Sequence, residues 1–131
     1  MTELVAVLGE AGVTVLADVR LTPLSRQPGL SKRKLASSLA AAGIGYLHLP
    51  ALGNPRDNRE GFRRGDPGAR ARFEERLGTP AAQVGLTELQ SRIRDGRVAL
   101  LCFERDAGRC HRRLVSECLQ ARDPRLVIWH L

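Results

Sequence analysis

Two short stretches of the chain gather side chains that could do chemistry. The first holds Asp18, Arg20, Ser25, Arg26 and Lys32; from Arg20 to Lys34 there are five basic residues and no acidic one. An arginine fork pairs bidentately with oxyanions. The stretch also leads into a helix start, where free backbone N–H groups favour anions. The competing reading is structural: Asp18 and Arg20 pair with each other at a sheet edge, and Lys32 to Lys34 form a solvated helix start. The second stretch runs from Cys102 through Glu104 to Cys110, His111, Arg112 and Arg113. First turns of helices favour Asp and Glu, so a His and two Arg there oppose the helix dipole, and a bound anion would offset that cost. Here the competing reading pairs Arg112 and Arg113 with Glu104, Asp106 or Glu117, contacts that contribute little at a surface.

Three chemistries were weighed for the second stretch. A cysteine phosphatase loop wraps a phosphate between Cys and Arg, but the six residues between Cys102 and Arg109 are too many for that cradle, and Glu104 would place a carboxylate inside it. A zinc site from Cys102, Cys110 and His111 lacks a fourth ligand and the usual paired spacing, so no metal is expected. The third is general acid/base or nucleophilic work by Glu104, with Arg112 holding an anionic substrate, as carboxylates act in glycosidic cleavage. Asp18 or His48 could act with Glu104. Cys102 reads as a buried thiol lining the site, because free Cys is among the most buried residue types. Tyr46 and His48 share one strand face and lean toward the same place, although packing with a satisfied polar tip is the ordinary role of such residues.

Both stretches need strands to hold them. Val13 to Val19 is a nearly continuous apolar run with three valines, which predicts a buried strand. Ile44 to Leu49, Val98 to Phe103 and Leu126 to His130 read as three further strands. Between them the pattern predicts helices over Leu4 to Leu8, Lys32 to Ala42, Ala69 to Leu77, Ala81 to Asp95 and Cys110 to Ala121. Gly43 closes the second of these, and Thr79-Pro80 opens the fourth. Pro50 to Gly68, rich in Gly, Pro and charge, reads as a long loop. Strands alternating with helices imply a single three-layer α/β domain of Rossmann-like type, with a mostly parallel sheet. In such sheets ligands bind beyond the carboxyl ends of the strands, and both stretches lie at such ends.

Composition narrows the function classes. The 131 residues suit one domain, and the apolar fraction of 43% is ordinary. No run approaches the ~20 apolar residues that span a bilayer, and residues 1–9 lack the pattern of a secretory signal. Three cysteines, an odd number, read as reduced thiols, which predicts a cytoplasmic protein with no disulfide. The formal charge is +7, and nineteen of the 21 basic residues are Arg. That balance favours an acidic partner, either an anionic small molecule or a nucleic acid. No cofactor is expected.

The two stretches together resemble a known family. Ala17-Asp18-Val19-Arg20, the Pro23, Ser25 and Arg26 loop, Gly43-Ile44 with Tyr46 and His48-Leu49, and Leu52-Gly53 look like the first half of the domain of unknown function 488 family. Leu101-Cys102, Glu104 and Cys110-His111-Arg112-Arg113 look like its second half. The resemblance implies a Rossmann-like layout, no established general reaction, and roles around nucleic acids or DNA repair. Carried over residue by residue, it singles out Asp18, Arg20, Ser25, Arg26, Cys102, Glu104, Cys110, His111 and Arg112. Family members open with a strand and a Thr-Ile-Gly-His-Ser-like turn, whereas this chain starts at the following helix. That departure implies a missing strand and a sheet edge open to homodimerisation.

Three functions compete on this reading. The first is a small enzyme acting on a phosphate-bearing or nucleotide-like substrate. Glu104 or Asp18 would do the proton or nucleophilic work, while Arg20, Arg26 and Arg112 bind the anion. The second is a nucleic-acid-binding accessory module without catalysis, using the seven arginines between Arg56 and Arg76. Five acids in that stretch reduce its net charge to +2, and aromatic residues for stacking are only 4% of the chain. The third is a purely structural role. The enzyme ranks first, because carboxylates set inside basic clusters are wasted in a simple nucleic-acid binder.

Overall fold

The computed structural model describes residues 2–21, 32–101 and 111–126. It is an α/β domain whose three described strands, β1 (Val13–Asp18), β2 (Gly45–His48) and β3 (Arg97–Leu101), form a parallel sheet in the order β2-β1-β3. Leu16 stands opposite Tyr46 on one side and Ala99 on the other. β1 is therefore the central strand, and its apolar run is buried on both faces as such a position demands. The ladder continues one residue further. Leu49 donates its N–H to the Asp18 carbonyl (2.9 Å), and Val19 donates to the Leu101 carbonyl (3.0 Å).

Helices cover both faces. Leu8 of α1 (Thr2–Glu10) and Leu35 and Leu39 of α2 (Lys32–Ala41) pack with Leu16 and Ile44 on one face. On the other, Ala17 and Val19 meet Phe73 and Leu77 of α4 (Pro67–Leu77), Leu86 and Leu89 of α5 (Pro80–Asp95), and Leu114, Val115 and Leu119 of α6 (Arg112–Arg122). The adjacent residues Leu16 and Ala17 thus feed separate cores, as a pleated strand requires. Gly43 closes α2 at φ +76°, the left-handed conformation that favours glycine. Thr79 caps α5 by accepting the Ala82 N–H at 3.3 Å, with Pro80 at the first position.

The expected long loop at 50–68 is not a loop. Pro50–Leu52 forms a 3₁₀ turn, Arg56–Arg63 forms α3, and α4 already starts at Pro67. The prolines and glycine that read as breakers sit at element ends. Pro55 precedes α3, Gly65 follows it at φ +78°, and Pro67 opens α4 behind Asp66, whose side chain accepts the Gly68 N–H at 2.9 Å. Two buried asparagines fasten the helix pair: Asn58 Nδ2 donates to Asn54 Oδ1 and to the Ala69 carbonyl, both at 2.9 Å. The fourth predicted strand lies almost wholly outside the described residues; Leu126 alone is described, packed against the larger core.

The 3₁₀ turn is pressed against the chain leaving β1. A Cβ built on Gly53 would stand 2.5 Å from the Leu21 backbone nitrogen and 2.6 Å from its Cα. Backbone cannot move aside as a side-chain tip can, so Gly53→Ala is expected to destabilise the fold by about 1–3 kcal/mol, the range of overpacking. Gly9→Ala, with nothing within 4 Å, is expected to be neutral or slightly stabilising. Urea unfolding of the two variants checks the contrast, and equal stabilities would refute the close approach.

Candidate functional site at the strand ends

Asp18 is the last residue of the central strand, and its side chain is 0% exposed. A carboxylate can be buried only if its oxygens are satisfied, and here four donors do so. Oδ1 accepts the Arg20 backbone N–H at 3.1 Å and the Arg20 Nε at 2.7 Å; Oδ2 accepts Arg20 Nη2 at 2.6 Å and the Tyr46 hydroxyl at 2.5 Å. Arg20, 2% exposed, closes back on the residue two before it in a bidentate pair. The structural alternative for Asp18 and Arg20 is thus seen, at the centre of the sheet rather than at an edge. The Tyr46 phenol is held protonated. Burial comes first, followed by its hydrogen bond to Asp18 and the charge of Asp18, and together they push it above the ordinary range of phenols.

The backbone just beyond Asp18 is held by two histidines from distant elements. His48, at the end of β2, has its Nε2 2.9 Å from the Arg20 carbonyl. His111, immediately before α6, has its Nε2 2.9 Å from the Val19 carbonyl. A carbonyl only accepts, so in each ring Nε2 carries the proton and donates. Consecutive carbonyls of the segment leaving β1 are in this way tied to β2 and to α6.

His111 is 5% exposed and stands edge-on to Phe73, which stands edge-on to Phe62; the centroid separations are 5.2 and 5.9 Å. Its pKa is lowered from 6.5 to about 4, first by burial and then by the positive charges of Arg112, Arg59 and Arg76; the bond to Val19 works the other way. The imidazole is therefore neutral near neutral pH, and three guanidiniums from α3, α4 and α6 act on it. Arg59 lies three residues before Phe62 and Arg76 three after Phe73, so each shares a helix face with a ring of the ladder. Arg76 also reaches the segment after β2, where Nη2 donates to the Pro50 carbonyl at 3.2 Å.

Of the residues singled out in the sequence, Asp18, Arg20, Tyr46 and His48 form one hydrogen-bonded cluster, and His111 and Arg112 lie beyond the next peptide. Ser25, Arg26, Cys102, Glu104 and Cys110 lie outside the described residues. Arg113 pairs with Glu117 at 3.3 Å, the alternative weighed for it. Reading the sequence missed Arg59 and Arg76 as members of the site. Their spacing from Phe62 and Phe73 was a usable signal, obscured because α3 read as loop. Cys118, on α6, is half-buried, and burial pushes its thiol up. Among the described residues no three His, Cys, Asp or Glu side chains gather as metal ligands, and no helix is long and apolar enough to cross a membrane.

Neither the curated proteins nor the solved structures contain a significant match to this sequence. A family match covers residues 1–119. With the Asp18-Val19-Arg20 segment at the end of β1, the Leu52-Gly53 turn and the His111-Arg112 helix start all inside that span, the chain belongs to the family described as Domain of unknown function DUF488.

Proposed function

We propose that the chain is a small enzyme acting on a phosphate-bearing or nucleotide-like substrate bound beyond the carboxyl ends of its parallel strands. One observation carries this reading: His111, buried and bonded to the Val19 carbonyl where open α/β sheets bind ligands, is kept neutral by burial and by the charges of Arg112, Arg59 and Arg76. Cations collected beside a low-dielectric wall attract an anion strongly. We assign proton transfer to Glu104, anion binding to Arg112 and Arg26, and a part in substrate binding to Ser25, Cys102 and Cys110. Asp18 and Arg20 have no surface to offer and serve as the frame. Through them Tyr46 and His48 set the backbone on which the site is built. The accessory nucleic-acid module has less in its favour. Within its arginine stretch, Arg70 faces Glu74 and Glu117, and Arg72 faces Asp57.

A thermal-shift panel at low salt tests the reading, with mononucleotides, sugar phosphates and short DNA and RNA as probes. A small phosphate ligand at a hundredfold its Kd should stabilise the chain by about 2.7 kcal/mol, and Arg112→Ala should abolish the shift. With the hit in hand, Glu104→Gln should keep binding and lower turnover by about a hundredfold or more. Unchanged turnover removes Glu104 from the chemistry. A shift from oligonucleotides alone replaces the enzyme by the binding module.

A further inference from the structure

We propose that Arg76 forms the subsite that takes the phosphate group of the substrate. The inference rests on the enzyme reading above and adds to it the residue and the chemical class it recognises.

Arg76 differs from four other helical arginines. Arg70, Arg72, Arg92 and Arg113 each face a carboxylate, at 2.8, 3.1, 3.1 and 3.3 Å respectively. Arg76 has none among the described residues. Its Nη2 uses the Pro50 carbonyl, and its Nε is buried without a hydrogen-bond partner. A guanidinium has five N–H donors, and a buried donor left unmet costs free energy. A cation that merely complemented the end of α4 would sit in solvent. Arg76 instead lies back along the protein, toward the segment following β2. Such a group is explained by an acceptor that arrives with the ligand.

The charges of Arg76 and Arg59 both bear on His111, and the Phe62–Phe73–His111 ladder joins α3 and α4 to it. A phosphate monoester carries about −1.5 to −2 charges near neutral pH and three acceptor oxygens. The Arg76 fork can pair with two of those acceptors at once. Arg72, only four residues before Arg76, is already neutralised by Asp57 and does not compete.

The test titrates inorganic phosphate into the full chain at low salt while the His111 ring signals are followed by NMR. Saturable binding is expected, with the His111 titration midpoint raised because the anion offsets the arginine repulsion. Arg76→Gln should weaken phosphate binding about tenfold, and the control Arg92→Gln should leave it unchanged. If Arg76→Gln does not fold, Arg76→Lys takes its place, with a loss expected from the missing fork. Phosphate that never saturates, or that binds both variants as tightly as the parent, overturns the subsite. Adenosine monophosphate and a short DNA duplex then compete against phosphate. Displacement by the mononucleotide, with or without the duplex, supports a small-substrate site; displacement by the duplex alone overturns it. The two readings fail separately. Phosphate binding lost in Arg76→Gln, without turnover of any compound, leaves the subsite and removes the enzyme. Turnover with phosphate affinity unchanged in Arg76→Gln does the reverse.

Discussion

Replacing Arg20 by methionine is expected to destabilise the fold by about 3–5 kcal/mol, the range for breaking a buried ion pair from one side. Arg20 supplies three of the four donors to the Asp18 carboxylate, and its backbone N–H is the one that would survive the change. Tyr46 would then be the last side chain facing a buried negative charge. Asp18→Asn should fall in a similar range, because it removes the negative charge that both carboxylate oxygens hold against the buried guanidinium. The double change Asp18→Leu with Arg20→Met should recover a large part of the loss, since a packed apolar pair often equals a buried ion pair. Urea unfolding followed by circular dichroism measures all three. A loss below about 1 kcal/mol for either single variant would mean that the pair is not closed off from water as the structure has it.

Acid should weaken the protein through His111. Its pKa is about 4 in the fold and 6.5 in the unfolded chain. Between those values the unfolded chain binds more protons, so stability falls as pH drops through 6.5 and levels off below about 4. The difference between the two values converts to about 3 kcal/mol. Most of it should be gone by about pH 4.5, with none of it lost above the unfolded value. His111→Gln removes the titrating ring while keeping an amide donor for the Val19 carbonyl. That variant should lose less stability between about pH 7 and pH 4.5 than the parent does. Parallel pH dependences of the two proteins would show that burial and the three arginines do not hold His111 neutral.

Much of the architecture was legible in the sequence because it follows from short-range rules. A β-branched apolar run makes a strand that must be covered on both faces. Gly43 and Thr79-Pro80 mark helix ends through the backbone angles and capping bonds that only such residues supply. The site's location followed from the same reasoning, since Asp18, His48 and Leu101 end parallel strands. The failure at 50–68 has an equally local cause. Pro55, Gly65 and Pro67 are common in loops and at helix ends alike, and composition cannot separate the two. What separates them is Asn58, buried between Asn54 and the Ala69 carbonyl, and Phe62, set against Phe73.

The chain's order of elements, its parallel sheet and the end of the sheet that carries polar residues were therefore determined by the sequence itself. Tertiary structure alone decided how those residues are used. Asp18 is consumed by Arg20 and by Tyr46, 28 positions away. His111 is brought to the Val19 carbonyl across 92 positions, and Arg59 and Arg76 join it from two helices. The physical reason is one of range. Backbone propensity and alternation are set by neighbours in the chain, whereas the partner of a buried charge and the neutrality of a histidine depend on whichever distant side chains packing brings within reach.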